Sequence, residues 1–182
     1  NCDGYAYDPE NPSQHIIDMS ENEIEVPEDY TREELRQDLL CYTSPVLKED
    51  LVLTGDMTAE LYISSDAPDT DFVVRVTDVD ENGRSIKLAD GLLSARYRNG
   101  FARSEFLQEG EIVCLKIRTT KLSNCFRKGH RIRVTVTSSA KNFIFPNSNT
   151  REGFASARTV VAHNRVYHGG LHASRLTVRV EP

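Results

Sequence analysis

Apolar side chains recur at every second position along most of this chain. Met57, Ala59, Leu61 and Ile63 alternate with Thr58, Glu60 and Tyr62, and Phe72, Val74 and Val76 alternate with Val73, Arg75 and Thr77. A period of two is the mark of half-buried antiparallel strands, not of helices. Between the two runs lies Ser64-Ser65-Asp66-Ala67-Pro68-Asp69-Thr70-Asp71. There Pro68 restricts φ and lacks an amide proton, and the aspartates can bond nearby backbone amides, so the chain must turn. Further turns are predicted at Asp80-Glu81-Asn82-Gly83 and at Asp90-Gly91.

The same reading predicts strands over residues 39–43, 51–63, 72–79, 84–88, 92–98, 111–118, 130–139, 159–166 and 176–180. Cys114 falls on the outward face of its strand. Thr31-Arg32-Glu33-Glu34 has the spacing of a capping box, and Leu35, Leu39 and Leu40 could form an apolar stripe, so a short helix is expected over 31–37. Residues 1–30 are rich in proline and polar groups and show no periodicity, which predicts an extended arm or linker; residues 31–182 then form the domain proper. Eight or more short strands with almost no helix imply an all-β, two-sheet sandwich.

Composition narrows the function. The 182 residues suffice for one domain burying about 70% of its unfolded surface. A net charge of −6 argues against a nucleic-acid binder, and no apolar run has the length of a membrane span. Cys2, Cys41, Cys114 and Cys125 are too widely spaced for a zinc knuckle or a thioredoxin-type site, and free thiols are expected. The chain opens on Asn1 rather than Met, as an excised or processed piece would.

Two blocks of residues resemble a known family. One runs Leu53-Thr54-Gly55-Asp56-Met57-Thr58-Ala59-Glu60-Leu61-Tyr62 into the Asp66–Phe72 turn, then Asp78-Val79-Asp80 with Gly83, and Asp90-Gly91 leading to Ala95-Arg96-Tyr97-Arg98. The other is Phe126-Arg127-Lys128-Gly129-His130-Arg131-Ile132, followed by Ser138-Ser139 and Phe145-Pro146-Asn147-Ser148-Asn149-Thr150. Together they resemble the C-terminal β-domain of X-Pro dipeptidyl-peptidases and cocaine-esterase-like acyl hydrolases. The resemblance implies a galactose-binding-like jelly-roll that carries no catalytic residue and needs no cofactor. Its partner would be an upstream α/β-hydrolase domain holding the Ser-Asp-His triad. It also allows a homo-oligomer.

The remaining candidates for chemistry are weak. No Gly-x-Ser-x-Gly occurs, and Ser94, Ser104 and Ser138 lack the flanking glycines of a nucleophile elbow. Asp78-Val79-Asp80-Glu81-Asn82-Gly83 copies half of an EF-hand loop, but its twelfth position is Ala89 rather than a carboxylate. His163, His168 and His172 need not converge on a metal, and His130 reads as a strand-start cap. Alternation puts Arg131 and Arg133 on one sheet face, where acidic neighbours can pair with them. The aromatic, amide-rich loop with Phe143, Phe145, Pro146 and Asn147 is the candidate contact with another domain, and the resemblance implies that such a domain packs on the hydrolase core and helps wall its substrate pocket. A free-standing carbohydrate-binding module is the alternative, weakened by the absence of Trp.

Overall fold

The computed structural model describes residues 1–17 and 27–180. Twelve strands run through these residues: β1 Cys2–Tyr7, β2 Leu39–Thr43, β3 Leu51–Gly55, β4 Thr58–Ser65, β5 Asp71–Val79, β6 Ser85–Ser94, β7 Val113–Arg118, β8 Leu122–Phe126, β9 Arg131–Thr137, β10 Ala162–Gly169, β11 His172–Ala173 and β12 Arg175–Thr177. They form an all-β sandwich. One sheet contains β1, β10, β4 and β7, with β12 sharing the β10 edge of β4. The other runs β2-β9-β5-β6. The chain crosses from sheet to sheet between β4 and β5, β6 and β7, and β9 and β10.

The alternating residues meet in the middle. Ala59, Leu61 and Ile63 face Phe72, Val74 and Val136, with Leu115, Ile117, Val166, Tyr5 and Tyr7 filling the core. Each large side chain fully buried there contributes about 1.5–3 kcal/mol relative to exposure.

Several boundaries differ from the sequence expectation. Residues 51–63 form two strands, because Gly55 takes φ +110° and bends the ribbon between β3 and β4. Asp90-Gly91 is not a turn. Residues 84–88 and 92–94 belong to the single strand β6, whose register shifts at a bulge opposite Val76/Thr77. Gly91 answers a packing need instead: a Cβ there would lie 2.4 Å from the Arg118 carbonyl oxygen. The expected helix over 31–37 is one 3-10 turn, Glu33–Leu35, and its capping box does not close. Thr31 instead donates to Asp29 and accepts the Ser85 N–H, and Leu35 is 77% exposed. The expected arm also begins as a strand. β1 pairs with β10, because Tyr5 and Tyr7 alternate into the core. The part of that arm at 18–26 lies outside the described residues.

Beyond β1, residues 13–17 and 27–30 lie as a strap across the outer face of the β2-β9-β5-β6 sheet. It buries the face of β5 expected to meet solvent, so Val73, Arg75 and Thr77 are as hidden as the core face. The Arg75 guanidinium is 1% exposed and lies 4.8 Å from the Tyr30 ring centroid. It donates to the carbonyls of Ser139 at 3.2 Å and Gln14 at 3.4 Å. Tyr30 is tied in turn: its hydroxyl accepts the Ile16 N–H and donates to Glu28. Beside it, Lys87 on β6 bonds Glu28 at 2.8 Å and Asp90 at 3.0 Å, with His15 against the same carboxylates. Burial raises the Asp90 carboxyl, but the His15 hydrogen bond and the charge and hydrogen bond of Lys87 outweigh it and hold it at about 2.

Two outcomes are expected from the strap. Tyr30→Ala should lower stability in urea unfolding by about 3–5 kcal/mol, while Tyr30→Phe, which keeps the ring over Arg75, should cost about 1 kcal/mol. Equal losses would assign the strap's stability to the hydroxyl and not the ring. The Asp90 carboxyl titrates lower in the folded chain than the ~3.9 of an unfolded aspartate. Its contribution is therefore complete above about pH 4 and is lost as pH falls toward 2. Asp90→Asn should flatten the acid limb of a stability-versus-pH curve, and an unchanged limb would place that limb in other carboxylates.

Candidate docking surface

The connections from β4 to β5, β6 to β7 and β9 to β10 gather at one end of the sandwich, beside the exit of β1. The expected contact residues all lie there, but they do different work. Phe145 is 79% exposed and stacks on Phe154, itself 72% exposed, with ring centroids 5.8 Å apart. Phe143 is 44% exposed, because it packs on His15 of the strap at 5.0 Å. Pro146 is half-buried, and Asn147 is buried.

Asn147 holds the loop from below. Its Nδ2 donates to Asp69 Oδ2 at 2.8 Å and Asp71 Oδ1 at 2.9 Å, and its carbonyl accepts the Tyr7 hydroxyl at 3.2 Å. Asp69, with no solvent exposure, also accepts the backbone N–H and the Nε of Arg96 at 2.9 and 2.7 Å. The Arg96 guanidinium then reaches on to the carbonyls of Thr150 and Arg151 at 3.1 and 3.0 Å. Both Arg96 and Arg151 lie over the Phe106 ring, at 5.1 and 4.5 Å. Burial pushes the Asp71 carboxyl up, against the hydrogen bonds of Ser94 and Asn147 that pull it down. Asn149 takes φ +63° and donates to the Val160 carbonyl, which turns the loop back toward β10. The result is a rigid polar floor carrying an apolar rim. Next to the rim lies a recess of about 400 Å³ with Pro68, Val160 and Val161 as apolar walls and mixed charges, Arg151 and Arg158 with Asp66 and Glu152.

The other sequence candidates are dispersed. His163 pairs with Asp66 at 2.7 Å, His168 with Asp3 at 3.1 Å, and His172 packs on the rings of Tyr62 and Tyr167. His130, at the start of β9, bonds Asp78 at 2.8 Å. The Asp80 carboxylate of the EF-hand-like run accepts the N–H groups of Asn82 and Arg84, and Gly83 takes φ +85°, which makes a hairpin turn. Arg133 pairs with Glu34 at 2.5 Å, Arg127 with Asp50 at 2.8 Å, and Arg131 donates to the Ser44 carbonyl. The Ser138 hydroxyl is buried against the Tyr5 hydroxyl and Asn164 Nδ2. The cysteines are free, and Cys114 is half-buried.

Sequence reasoning did not single out Phe154, Asp69 or Arg96 as functional. Phe154 is a lone ring in a polar loop, beside a glycine with φ +64°. In the sequence Asp69 reads as a turn residue and Arg96, 27 residues on, as part of a strand, and the fold joins them.

Comparison with known proteins agrees with this architecture. Residues 3–177 match the X-Pro dipeptidyl-peptidase C-terminal non-catalytic domain. A cocaine esterase of Rhodococcus sp. (strain MB1 Bresler) is 35% identical over 187 residues, covering 99% of this chain and 32% of the esterase. Two solved structures share the fold with a TM-score of 0.92. One is an aminopeptidase from the marine sediment archaeon Thaumarchaeota archaeon, 24% identical, with 100% of this chain and 33% of that one covered. The other is an α-amino acid ester hydrolase, 23% identical, with 99% and 32% covered. The chain thus spans about a third of the length of these proteins. An all-β sandwich that matches one family profile almost end to end belongs to the X-Pro dipeptidyl-peptidase C-terminal non-catalytic domain family.

Proposed function

We propose that this domain serves a serine hydrolase as its scaffold, packing on an upstream α/β-hydrolase domain through the loop end and helping to shape that domain's substrate pocket. The carrying observation is the stacked, exposed pair Phe145 and Phe154 held on the Asp69–Arg96–Asn147 floor. Exposed aromatics on a preorganised base lose little side-chain freedom when they are covered, so most of their burial contributes to docking. Pro146 extends the rim, and Phe143 links it to the strap. Asn147 acts by positioning, since its amide faces Asp69 and Asp71 rather than the surface. The recess beside the rim adds valine walls and a balanced set of charges, Arg151 and Arg158 with Asp66 and Glu152.

The parent enzyme in this reading cleaves an ester or amide through an acyl-enzyme formed on a serine outside this chain. A serine-reactive fluorophosphonate should label the full-length hydrolase and leave this chain unlabelled. Labelling of the chain itself would overturn the scaffold role and direct attention to Ser94, Ser104 and Ser138.

Substitutions separate the rim from its floor. Replacing both rim residues (Phe145→Ser with Phe154→Ser) should change the stability of this chain by no more than about 0.5 kcal/mol. In the full-length protein the same change should weaken interdomain docking by about 2–4 kcal/mol, read as separate unfolding of the two domains and a lower kcat/KM. Asn147→Ala should instead destabilise the chain itself by about 1–3 kcal/mol, because two buried carboxylates lose a donor. Full-length enzyme with both serines that keeps one cooperative transition and wild-type kcat/KM would show that the rim is not the docking surface.

A further inference from the structure

Two Asn-Gly pairs occur in the chain, Asn82-Gly83 and Asn99-Gly100, and both are exposed. An asparagine followed by glycine can modify itself, because no Cβ crowds the glycine nitrogen. That nitrogen attacks the asparagine Cγ, the bond from Cγ to the side-chain nitrogen breaks, and the displaced amide leaves as ammonia with the glycine proton. The succinimide that remains is opened by water at either carbonyl, giving aspartate or isoaspartate.

The structure separates the two pairs. Each glycine N–H donates to a backbone carbonyl, Gly83 to Asp80 at 3.0 Å and Gly100 to Tyr97 at 2.9 Å, so the two nitrogens are similarly held. The side chains differ. Asn99 Nδ2 donates to Glu105 Oε2 at 2.7 Å, and the same carboxylate is fixed by Arg103 at 3.2 Å. This charge-assisted bond must break before the Asn99 amide can turn onto the Gly100 nitrogen. Asn82 donates its backbone N–H to Asp80 Oδ1 at 2.8 Å, but its side chain makes no hydrogen bond among the described residues.

The strap is tied to the chain directly after this turn. Asp80 Oδ1 accepts the N–H groups of both Asn82 and Arg84, and the Asp80 N–H donates to the Arg84 carbonyl at 3.0 Å. Asp29 of the strap pairs with Arg84 at 2.8 Å. The Tyr30 N–H donates to the Ser85 carbonyl at 2.8 Å, the Lys87 N–H to the Glu28 carbonyl at 3.0 Å, and the Ser85 N–H to the Thr31 hydroxyl at 2.9 Å. Isoaspartate routes the main chain through the former side chain, which lengthens it by a methylene and leaves a carboxylate beside Asp80 and Glu81. A hairpin loop fixes register through its length, so the added methylene disturbs the start of β6.

We propose that Asn82-Gly83 is a site of spontaneous deamidation, and that its isoaspartyl product loosens the strap where it joins β6. Glu105 protects Asn99, which converts more slowly.

The test incubates this chain at mildly alkaline pH and follows both Asn-Gly peptides by mass spectrometry, with isoaspartate counted by an isoaspartyl methyltransferase. Asn82 should convert about three- to tenfold faster than Asn99, the factor set by one hydrogen bond. Glu105→Ala should raise the Asn99 rate to that of Asn82 and leave Asn82 unchanged. In the isoaspartyl fraction the amides of Tyr30, Ser85 and Lys87 should exchange hydrogen severalfold faster than in the unmodified fraction, while those of β7 stay protected. Asn82→Ser, which has no amide to lose, should age without that change. Conversion of Asn99 as fast as Asn82 in the unsubstituted chain, or of neither while the denatured chain converts, would overturn the site. Equal exchange at Tyr30, Ser85 and Lys87 in the two fractions would overturn its link to the strap.

Discussion

The structure depends on the burial of Arg75. A guanidinium cannot be deprotonated to escape a low-dielectric site, so it must find donors' partners and a polarisable neighbour wherever it lies. Arg75 sits mid-strand in β5, on the face that alternation assigns to solvent, and the fold brings the solvent's substitutes to it: two backbone carbonyls and the Tyr30 ring. That arrangement requires the strap to cross the sheet, and the crossing brings Glu28 and His15 to Lys87 and Asp90. The strap, the doubly buried β5 and the acid-sensitive carboxylate adjoin this desolvated charge, whose Nε has no hydrogen-bond partner among the described residues.

A second buried charge organises the loop end. Asp69 accepts from Arg96 and Asn147, and through them it joins the connections after β4, β6 and β9 into one piece. Long loops free of such ties would sample many shapes and lose entropy on docking. Here the polar network has already restricted them, and the exposed phenylalanines stand on its upper surface. Exposed rings on a stiff base lose little freedom when they are covered, and the docking role proposed for them rests on that.

The two ends of the sandwich therefore contrast in physics. At the loop end, hydrogen bonds and ion pairs fill the space between connections, leaving apolar groups outside. Away from the loops, β4 exchanges β10 for β12 along one edge, and an apolar groove opens against Val134 and Leu176. Sheets pair by backbone bonds that need register, so a change of partner cannot be as tightly filled as a continuous ladder.

Much was legible before any coordinates. Alternation at 57–63 and 72–76 identified the core strands and their inward residues, because a period of two is a local property of the chain. The Gly83 turn followed from equally local rules, whereas the partner of Arg133 is Glu34, 99 residues away in a 3-10 turn. The aromatic loop was also visible as composition. What failed did so for non-local reasons. Gly91 looks like a turn until the Arg118 carbonyl approaches it, and Thr31 looks like a cap until Ser85 takes its oxygen. Phe143 and Asn147 looked like surface partners of Phe145 until His15 and Asp69 engaged them. The sequence by itself determined the all-β class, the facing of the core strands and the Asn82-Gly83 turn, since these follow from neighbours a few residues apart. Only the tertiary structure decided which polar groups are buried, because burial depends on segments such as the strap that arrive from distant positions.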